Sequence, residues 1–277
     1  MQLAPFSRRC LVVAAVVALL VISPRTVPAS DEPVLSKEEM RHFLLTAKVV
    51  ASTQTQKGTT NPYRLTLSDG KLTHDASFQA IDEHRPIREF ANGTREINFV
   101  DSYKYNIAGF VLSELLGVDD MVPMYVERTW NGRRGAIGWW LPVTMDEADR
   151  QKRKLAAPDL ERWNEQMYRI RVFDALIYDN DINLTNVLIG ANWKIYRVDF
   201  SRAFRLSPTV RDARDLVMCD RQLLAKLKAL DAAEVAAKTR PFLTQRELQA
   251  LMARRDQIVA IFERFVRDKG EAAVLYD

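Results

Sequence analysis

The chain has 277 residues, 47% of them hydrophobic and 27% charged, which is ordinary globular material and enough for one two-lobed domain. Its 40 Lys and Arg against 36 Asp and Glu look basic, but Arg8, Arg9 and Arg25 fall in a leader of 29 residues that holds no acid, so 37 basic residues face 36 acidic ones in the remainder. That balance gives no reason to expect a nucleic-acid partner, and with Cys10 in the leader Cys219 stands alone, which excludes an internal disulfide.

In the leader, Ser7-Arg8-Arg9 precedes an apolar run from Cys10 to Ile22, and Val27-Pro28-Ala29 places small residues ahead of a cleavage site. Residues 1–29 therefore read as a secretory signal peptide. The apolar run of about 13 residues is short of the roughly 20 that cross a membrane. The expectation is an exported chain, periplasmic or extracellular, with no stable membrane span after cleavage. The alternative is a chain anchored by an uncleaved N-terminal segment. An exported domain without disulfides fits a bacterial envelope better than a eukaryotic secretory route.

Residues 36–50 follow as a first helix, with Ser36 as N-cap and Glu39 closing a capping box. The pattern then turns to strands. Val49-Val50-Ala51 runs into the polar turn Gln56-Lys57-Gly58-Thr59-Thr60, Tyr63 to Leu67 alternates up to Asp69-Gly70, and Ala76 to Ile81 makes a third strand. A charged loop through Arg88 and Gly93 leads to a helix over 102–116, stopped by Gly117, with one core face of Tyr103, Ile107, Phe110, Val111 and Leu115. Val122 to Val126 and Ala136 to Leu141 are strands around Asn131-Gly132. Pro158 opens a long helix through Tyr178 with Trp163, Met167, Ile170 and Phe173 on one stripe. Trp193 to Val198 is the return strand of a hairpin, Asp212 to Leu230 an amphipathic helix, and Thr244 with Glu247 caps the last helix. The expected fold class is α+β: a small strand-rich lobe over 30–141, a connector near Trp140–Met145, and a larger helical lobe over 142–277.

The residues that carry chemistry cluster after the long helix. Asp181 stands five residues before Asn186, and Asp199 follows thirteen residues after Asn186, ahead of Phe200 in an apolar run. Phosphotransferases of the protein-kinase type use those side chains at that kind of interval: the first Asp orients the attacking hydroxyl, and the Asn and second Asp hold the metal ions that neutralise the phosphates. A calcium loop starting at Asp179 fails, because position six is Leu184 instead of Gly and position twelve is Gly190 instead of Glu. His42, His74 and His84 are scattered, so zinc is not supported, and no Gly-x-Ser-x-Gly elbow supports a hydrolase.

Asp181…Asn186…Val198-Asp199-Phe200 resembles the catalytic and metal-binding loops of protein kinases and phosphatidylinositol kinases. The flanking blocks, among them Glu96-Ile-Asn-Phe, Asp101-Ser-Tyr-Lys-Tyr-Asn-Ile-Ala108, Arg171-Val-Phe-Asp and Asp199-Phe-Ser-Arg-Ala-Phe204, resemble a group of exported bacterial proteins with a kinase-like fold. The resemblance implies a two-lobed protein-kinase-like fold, and it also exposes departures. Where the third strand of an active kinase carries a Lys and the next helix a Glu, this chain has Gln79 and Asn106. The phosphate-covering loop holds one glycine, Gly58, and residue 201 is Ser in place of Gly. Lys57 in that loop and Lys104 on the helix are the cations available to compensate. Trp139 and Trp140 end the strand before the connector, where an adenine ring would stack, and alternation points one of the two rings at the cleft and the other elsewhere.

The sequence thus indicates an exported atypical phosphotransferase that binds ATP or another nucleotide with Mg²⁺ or Mn²⁺ between two lobes. Asp181 is the base, Asn186 and Asp199 the metal ligands, and Lys57, Gly58, Gln79, Lys104, Asn106 and Trp140 the nucleotide-contacting set. The acceptor is a hydroxyl on a protein, lipid or small molecule. The alternative is a pseudokinase that binds without transferring.

Overall fold

The computed structural model describes residues 35–55, 62–181 and 183–277, which belong to one compact unit, Leu35–Asp277. The expected signal peptide and the turn with Lys57 and Gly58 lie outside these residues. The strand-rich first part runs α1 (Lys37–Thr46), β1 (Lys48–Gln54), β2 (Tyr63–Ser68), β3 (Thr73–Gln79), β4 (Asp82–Glu89), β5 (Arg95–Ser102), α2 (Tyr103–Leu116), β6 (Tyr125–Trp130) and β7 (Arg133–Trp139). The helical second part runs β8 (Val143–Asp146), α3 (Glu147–Lys152), α4 (Leu160–Ile177), β9 (Val187–Gly190), β10 (Ile195–Arg197), β11 (Cys219–Asp220), α5 (Arg221–Ala229), α6 (Ala232–Thr239), α7 (Gln245–Lys269) and β12 (Leu275–Tyr276).

Ser36 and Glu39 form the expected capping box of α1. The helix stops at Thr46, short of residue 50, because Lys48 already pairs with Ser68 in the sheet. Arg128 donates to the carbonyls of Leu44 (2.8 Å) and Ala47 (2.7 Å), satisfying acceptors that the helix end leaves open.

The antiparallel sheet has the order β1-β2-β3-β7-β6. Its two faces follow from register, because residues directly opposite share a face. Leu65, Ala76, Phe78 and Ile137 are buried on the face that α1 covers, where Phe43 meets the Trp139 ring edge-on at 5.8 Å. Arg64, Asp75, Ser77, Gln79, Gly138 and Tyr125 lie on the other face, which looks toward α2 and the second part. Gly138 has no side chain because a Cβ there would stand 2.4 Å from the Tyr125 ring.

Helix α2 departs from its expectation. It is buried on nearly every side, Tyr105, Asn106, Leu112 and Leu116 included, while Val111 and Leu115 are only half-buried. The reason is its position: it packs on β6 and β7 and also on α5 and α6. A Cβ on Gly109 would come 2.8 Å from the ring of Phe200, so that glycine lets α2 sit directly on the segment carrying Asp199.

Residues 82–102, read as a charged loop, form the β4–β5 hairpin, paired from Asp82↔Ser102 to Glu89↔Arg95. Its strands carry charges on both faces and pair only with each other, so the alternation that marks a half-buried strand is absent. The Asn92-Gly93 pair at its tip, with Gly93 at φ 78°, is the local signal that was available.

In the second part, β8 joins β9 and β10, so the chain beyond Trp140 passes between the two parts as a strand. Helix α4 begins after Asp159, whose carboxylate accepts the Arg162 amide at 3.0 Å; Pro158 precedes the cap instead of opening the helix. The expected helix over Asp212–Leu230 is broken. Cys219-Asp220 pairs in parallel with Leu275-Tyr276, and Asp220 caps the shorter α5 by accepting the Leu223 amide at 2.8 Å. Helix α7 has the expected capping box at Thr244 and Glu247, and its buried Arg254 donates to the carbonyls of Leu176 (2.8 Å), Arg205 (2.9 Å) and Ser207.

Candidate active site

Helix α4 ends at Tyr178 in the left-handed region, φ 49°, and this turns the chain sharply into the loop that carries Asp181. Asp179 points inward and is 1% exposed, whereas Asp181 is exposed. One oxygen of Asp179 accepts the Asp181 amide at 3.0 Å, fixing the backbone from which the Asp181 carboxylate projects. Asn183 accepts the Thr185 amide at 3.0 Å and caps the short turn Leu184–Asn186. Asn186 then accepts the Val198 amide at 3.0 Å, one residue before Asp199, beside the Val187↔Arg197 pair of the β9–β10 ladder. Asn186 and Asp199 therefore stand at the same open end of one hairpin.

Beneath that end lies an ionic cluster that the motif did not reveal. Arg197 is 1% exposed. Its Nε donates to both oxygens of Asp174 at 3.2 Å, one terminal nitrogen pairs with Asp179, and the other donates to the Val198 carbonyl. Burial disfavours the guanidinium, but the charges of Asp174, Asp179 and Asp199 together outweigh it and hold Arg197 above its usual value. Burial pushes Asp179 up to about 6 against the pull of Arg197, with Asp174 and Asp199 adding to the rise. One buried cation thus joins α4, the Asp181 loop and the strand leading to Asp199. The partners of Arg197 lie 23 and 18 residues away in sequence, so no local interval announces them.

Asp199 adopts a left-handed backbone, φ 60°, and accepts the Ser201 amide at 3.4 Å. Phe200 is fully buried, and its amide donates to Asn106 Oδ1 at 2.7 Å. Asn106 Nδ2 in turn donates to Gln79 Oε1 at 2.6 Å. The two residues expected in place of a Lys–Glu ion pair do meet, as a neutral amide pair fastened to the Asp199 segment.

The other expected contacts are placed as follows. Lys104 sits two positions from Asn106 on the same helix, so the two cannot face one direction. Its ammonium is 2.7 Å from Asp82, which also accepts the Ser102 hydroxyl at 2.7 Å. Trp140 has the Arg64 guanidinium 4.6 Å above its ring. Trp139 stacks on His74 at 3.9 Å.

Asp101 was missed as a site residue. It is the penultimate residue of β5 and 6% exposed, and its Oδ1 has no hydrogen-bond partner among the described residues. Burial pushes its carboxyl up to about 6, opposed by a hydrogen bond from Ser201 and reinforced by the charge of Asp199. The residues Asp101-Ser-Tyr held the only signal, an acid directly before a helix cap. Among the described residues no three His, Cys, Asp or Glu side chains converge as a metal site, so a cation here would depend on the Asn186 amide, the Asp199 carboxylate and oxygens from a substrate.

No family model matches the sequence, and no curated protein matches it. Solved structures do match. Hydra Fam20, in a structure with a sugar, superposes with a TM-score of 0.63 at 18% identity, over 86% of this chain and 91% of that one. The Helicobacter pylori proinflammatory kinase CtkA superposes with a TM-score of 0.53 at 10% identity, over 82% of this chain and 98% of that one. The fold is kinase-like. At such identities the likeness speaks to the fold, and the chemistry has to be argued from this chain's own residues.

Proposed function

We propose that this chain is an atypical phosphotransferase that takes a nucleotide and Mg²⁺ or Mn²⁺ between its sheet and its helical part and transfers phosphate to a hydroxyl. The observation that carries the reading is the register of the β9–β10 hairpin, which sets Asn186 and Asp199 at one end while Asp179 and Arg197 fasten the Asp181 loop to the same strands. Asn186 and Asp199 offer the oxygen donors that hard divalent cations prefer, and the unpartnered oxygen of Asp101 beside Asp199 marks a place where positive charge is wanted. A divalent cation there supplies neutralisation of the phosphate charge. Asp181, exposed and held by its amide, accepts the hydrogen bond of the incoming hydroxyl and orients it. Gln79 and Asn106 hold the Phe200 backbone and so fix the direction of Asp199. Trp140 bounds the base-binding side of the cleft.

A second reading, a pseudokinase, rests on the Gln79–Asn106 pair. An amide pair at 2.6 Å gives the triphosphate no positive charge where a lysine would give one. The leader over residues 1–29 supports export. No helix among the described residues is long and apolar enough to cross a membrane.

Phosphate release from ATP, followed with a radiolabelled γ-phosphate and Mg²⁺ or Mn²⁺, separates the two readings. Asp181→Asn is expected to abolish transfer while nucleotide still binds, and Asp199→Asn to abolish both. Full turnover by Asp181→Asn removes the phosphotransferase assignment, and nucleotide binding without turnover by the unaltered chain selects the pseudokinase.

A further inference from the structure

Beside the loop of Asp181 opens a groove of about 730 Å³ that none of the expected nucleotide contacts among the described residues lines. One wall is the β4–β5 hairpin through Arg85, Ile97 and Phe99, and the other is the start of α7 through Arg246. Tyr105 and Phe204 form an aromatic floor, their rings 5.5 Å apart. Tyr178 and Asn180 close the end next to Asp181.

Basic side chains outnumber acidic ones along this groove, although Arg85 pairs with Glu83. Arg85, Arg205 and Arg246 line it, and so does His84. Glu247, the acid among the described lining residues, is already engaged by the Tyr105 hydroxyl and by the amide (2.6 Å) and hydroxyl (2.8 Å) of Thr244. Arg246 is exposed and forms no ion pair among the described residues. Arg205 is held by Glu96 at 2.7 Å, yet its Nη1 is buried without a hydrogen-bond partner. The mouth is apolar: Ile97 is 70% exposed and Leu206 is 37% exposed.

We propose that this groove is the acceptor site and that it takes an acidic, hydroxyl-bearing polypeptide segment. This rests on the phosphotransferase reading for the chemistry, but not for the binding. The arginines stand on separate elements with apolar positions between them. That spacing suits a chain carrying acidic and apolar side chains in turn, whereas a single phosphate or lipid headgroup needs cations that converge on one point. The hairpin wall is itself tied to the Asp199 segment. Glu96 pairs with Arg202 and Arg205, the Ser102 amide donates to the Ser201 carbonyl at 2.8 Å, and the Arg202 guanidinium lies 4.7 Å above Phe99. A segment seated against the hairpin is therefore directed at the loop of Asp181 by a wall that the active-site strand holds in place.

Fluorescence anisotropy on the purified chain tests this with a labelled peptide of Glu, Leu and Ser, the same peptide with Lys for Glu, and vesicles of phosphatidylserine. Arg85→Glu with Arg246→Glu reverses two exposed charges, and Arg133→Glu, at the exposed start of β7, is the control. The acidic peptide is expected to bind, the basic one not, and the double reversal to weaken binding about tenfold or more, since each exposed attraction becomes a repulsion. Arg133→Glu and the thermal shift with ATP and Mg²⁺ are expected to stay unchanged. Equal binding of both peptides, indifference to the reversal, or reversal-sensitive binding of vesicles in place of peptide overturns the proposal. Reversal-sensitive peptide binding with no phosphate transferred keeps the groove and removes the phosphotransferase reading, so the two failures are distinct.

Discussion

Two hydrogen-bonded linkages converge on the Asp199 segment, and they differ in charge. From the helical part comes Arg197, fully enclosed with Asp174 and Asp179 and reaching the Val198 carbonyl. From the sheet comes the neutral relay Gln79–Asn106–Phe200. The first invests buried charge in holding the Asp181 loop and the β9–β10 hairpin in one geometry. The second keeps geometry but no charge. On the proposed phosphotransferase reading, the positions of the base and the metal ligands would be built firmly, while the Gln79–Asn106 pair would bring no charge to the triphosphate side. Metal neutralisation and positioning would then supply most of the catalysis.

The sharpest way to break this contrast is Arg197→Met. It strands two buried carboxylates, so a loss of about 3–5 kcal/mol is expected, visible as a fall in melting temperature on the order of 10 °C. Adding Asp174→Asn and Asp179→Asn to Arg197→Met should recover part of that loss. No recovery means that the guanidinium acts only by filling space. Phe200→Ala tests where both linkages end. Removing a fully buried ring that α2 accommodates through Gly109 should destabilise by about 3–5 kcal/mol in chemical denaturation.

How much of this was legible in the sequence depended on how local each signal is. The capping boxes at Ser36 and Thr244 and the turn at Asn131-Gly132 are complete within a few residues, and the structure has them where they were read. The intervals from Asp181 to Asn186 and Asp199 span one loop and one hairpin, so spacing alone could bring Asn186 and Asp199 together. The β4–β5 hairpin was missed because its strands are charged on both faces, and only Asn92-Gly93 hinted at a turn. The region 212–230 was misread because Cys219-Asp220 is drawn into a parallel pair with the C-terminal residues, which no periodicity records. Arg197 escaped for the same reason, since a buried cation surrounded by hydrophobic strand residues looks like an exposed one until its distant partners are known. Asp101 lay inside a block noted for its resemblance, and only burial beside Asp199 marks it.

Asp101 also gives the contrast a pH signature. Its folded pKa, about 6, lies above the ordinary 3.8, so the folded chain binds this proton more tightly than the unfolded one. This contribution is present at low pH and is lost as pH rises from about 4 to above 6. Asp101→Asn should flatten the stability profile across that window and raise stability at pH 7 by up to about 3 kcal/mol, in urea titrations at several pH values. An unchanged slope indicates that the carboxyl is not strained by burial.

A smaller effect is expected from restoring charge. Gln79→Lys with Asn106→Glu recreates the ion pair and should tighten ATP binding about tenfold in isothermal titration, roughly 1.4 kcal/mol. An unchanged affinity means that the amide pair is not what weakens the triphosphate side.

The most direct test of the central claim is thermal unfolding of the purified chain with and without ATP plus Mg²⁺ or Mn²⁺, alongside Asp199→Ala. Ligand at about 100 times its dissociation constant stabilises by roughly 2.7 kcal/mol, on the order of 5–10 °C for a chain of this size. The expected result is a metal-dependent rise of that size that disappears in Asp199→Ala. No rise with any nucleotide, or a rise that Asp199→Ala leaves intact, contradicts a nucleotide–metal site at the end of the β9–β10 hairpin.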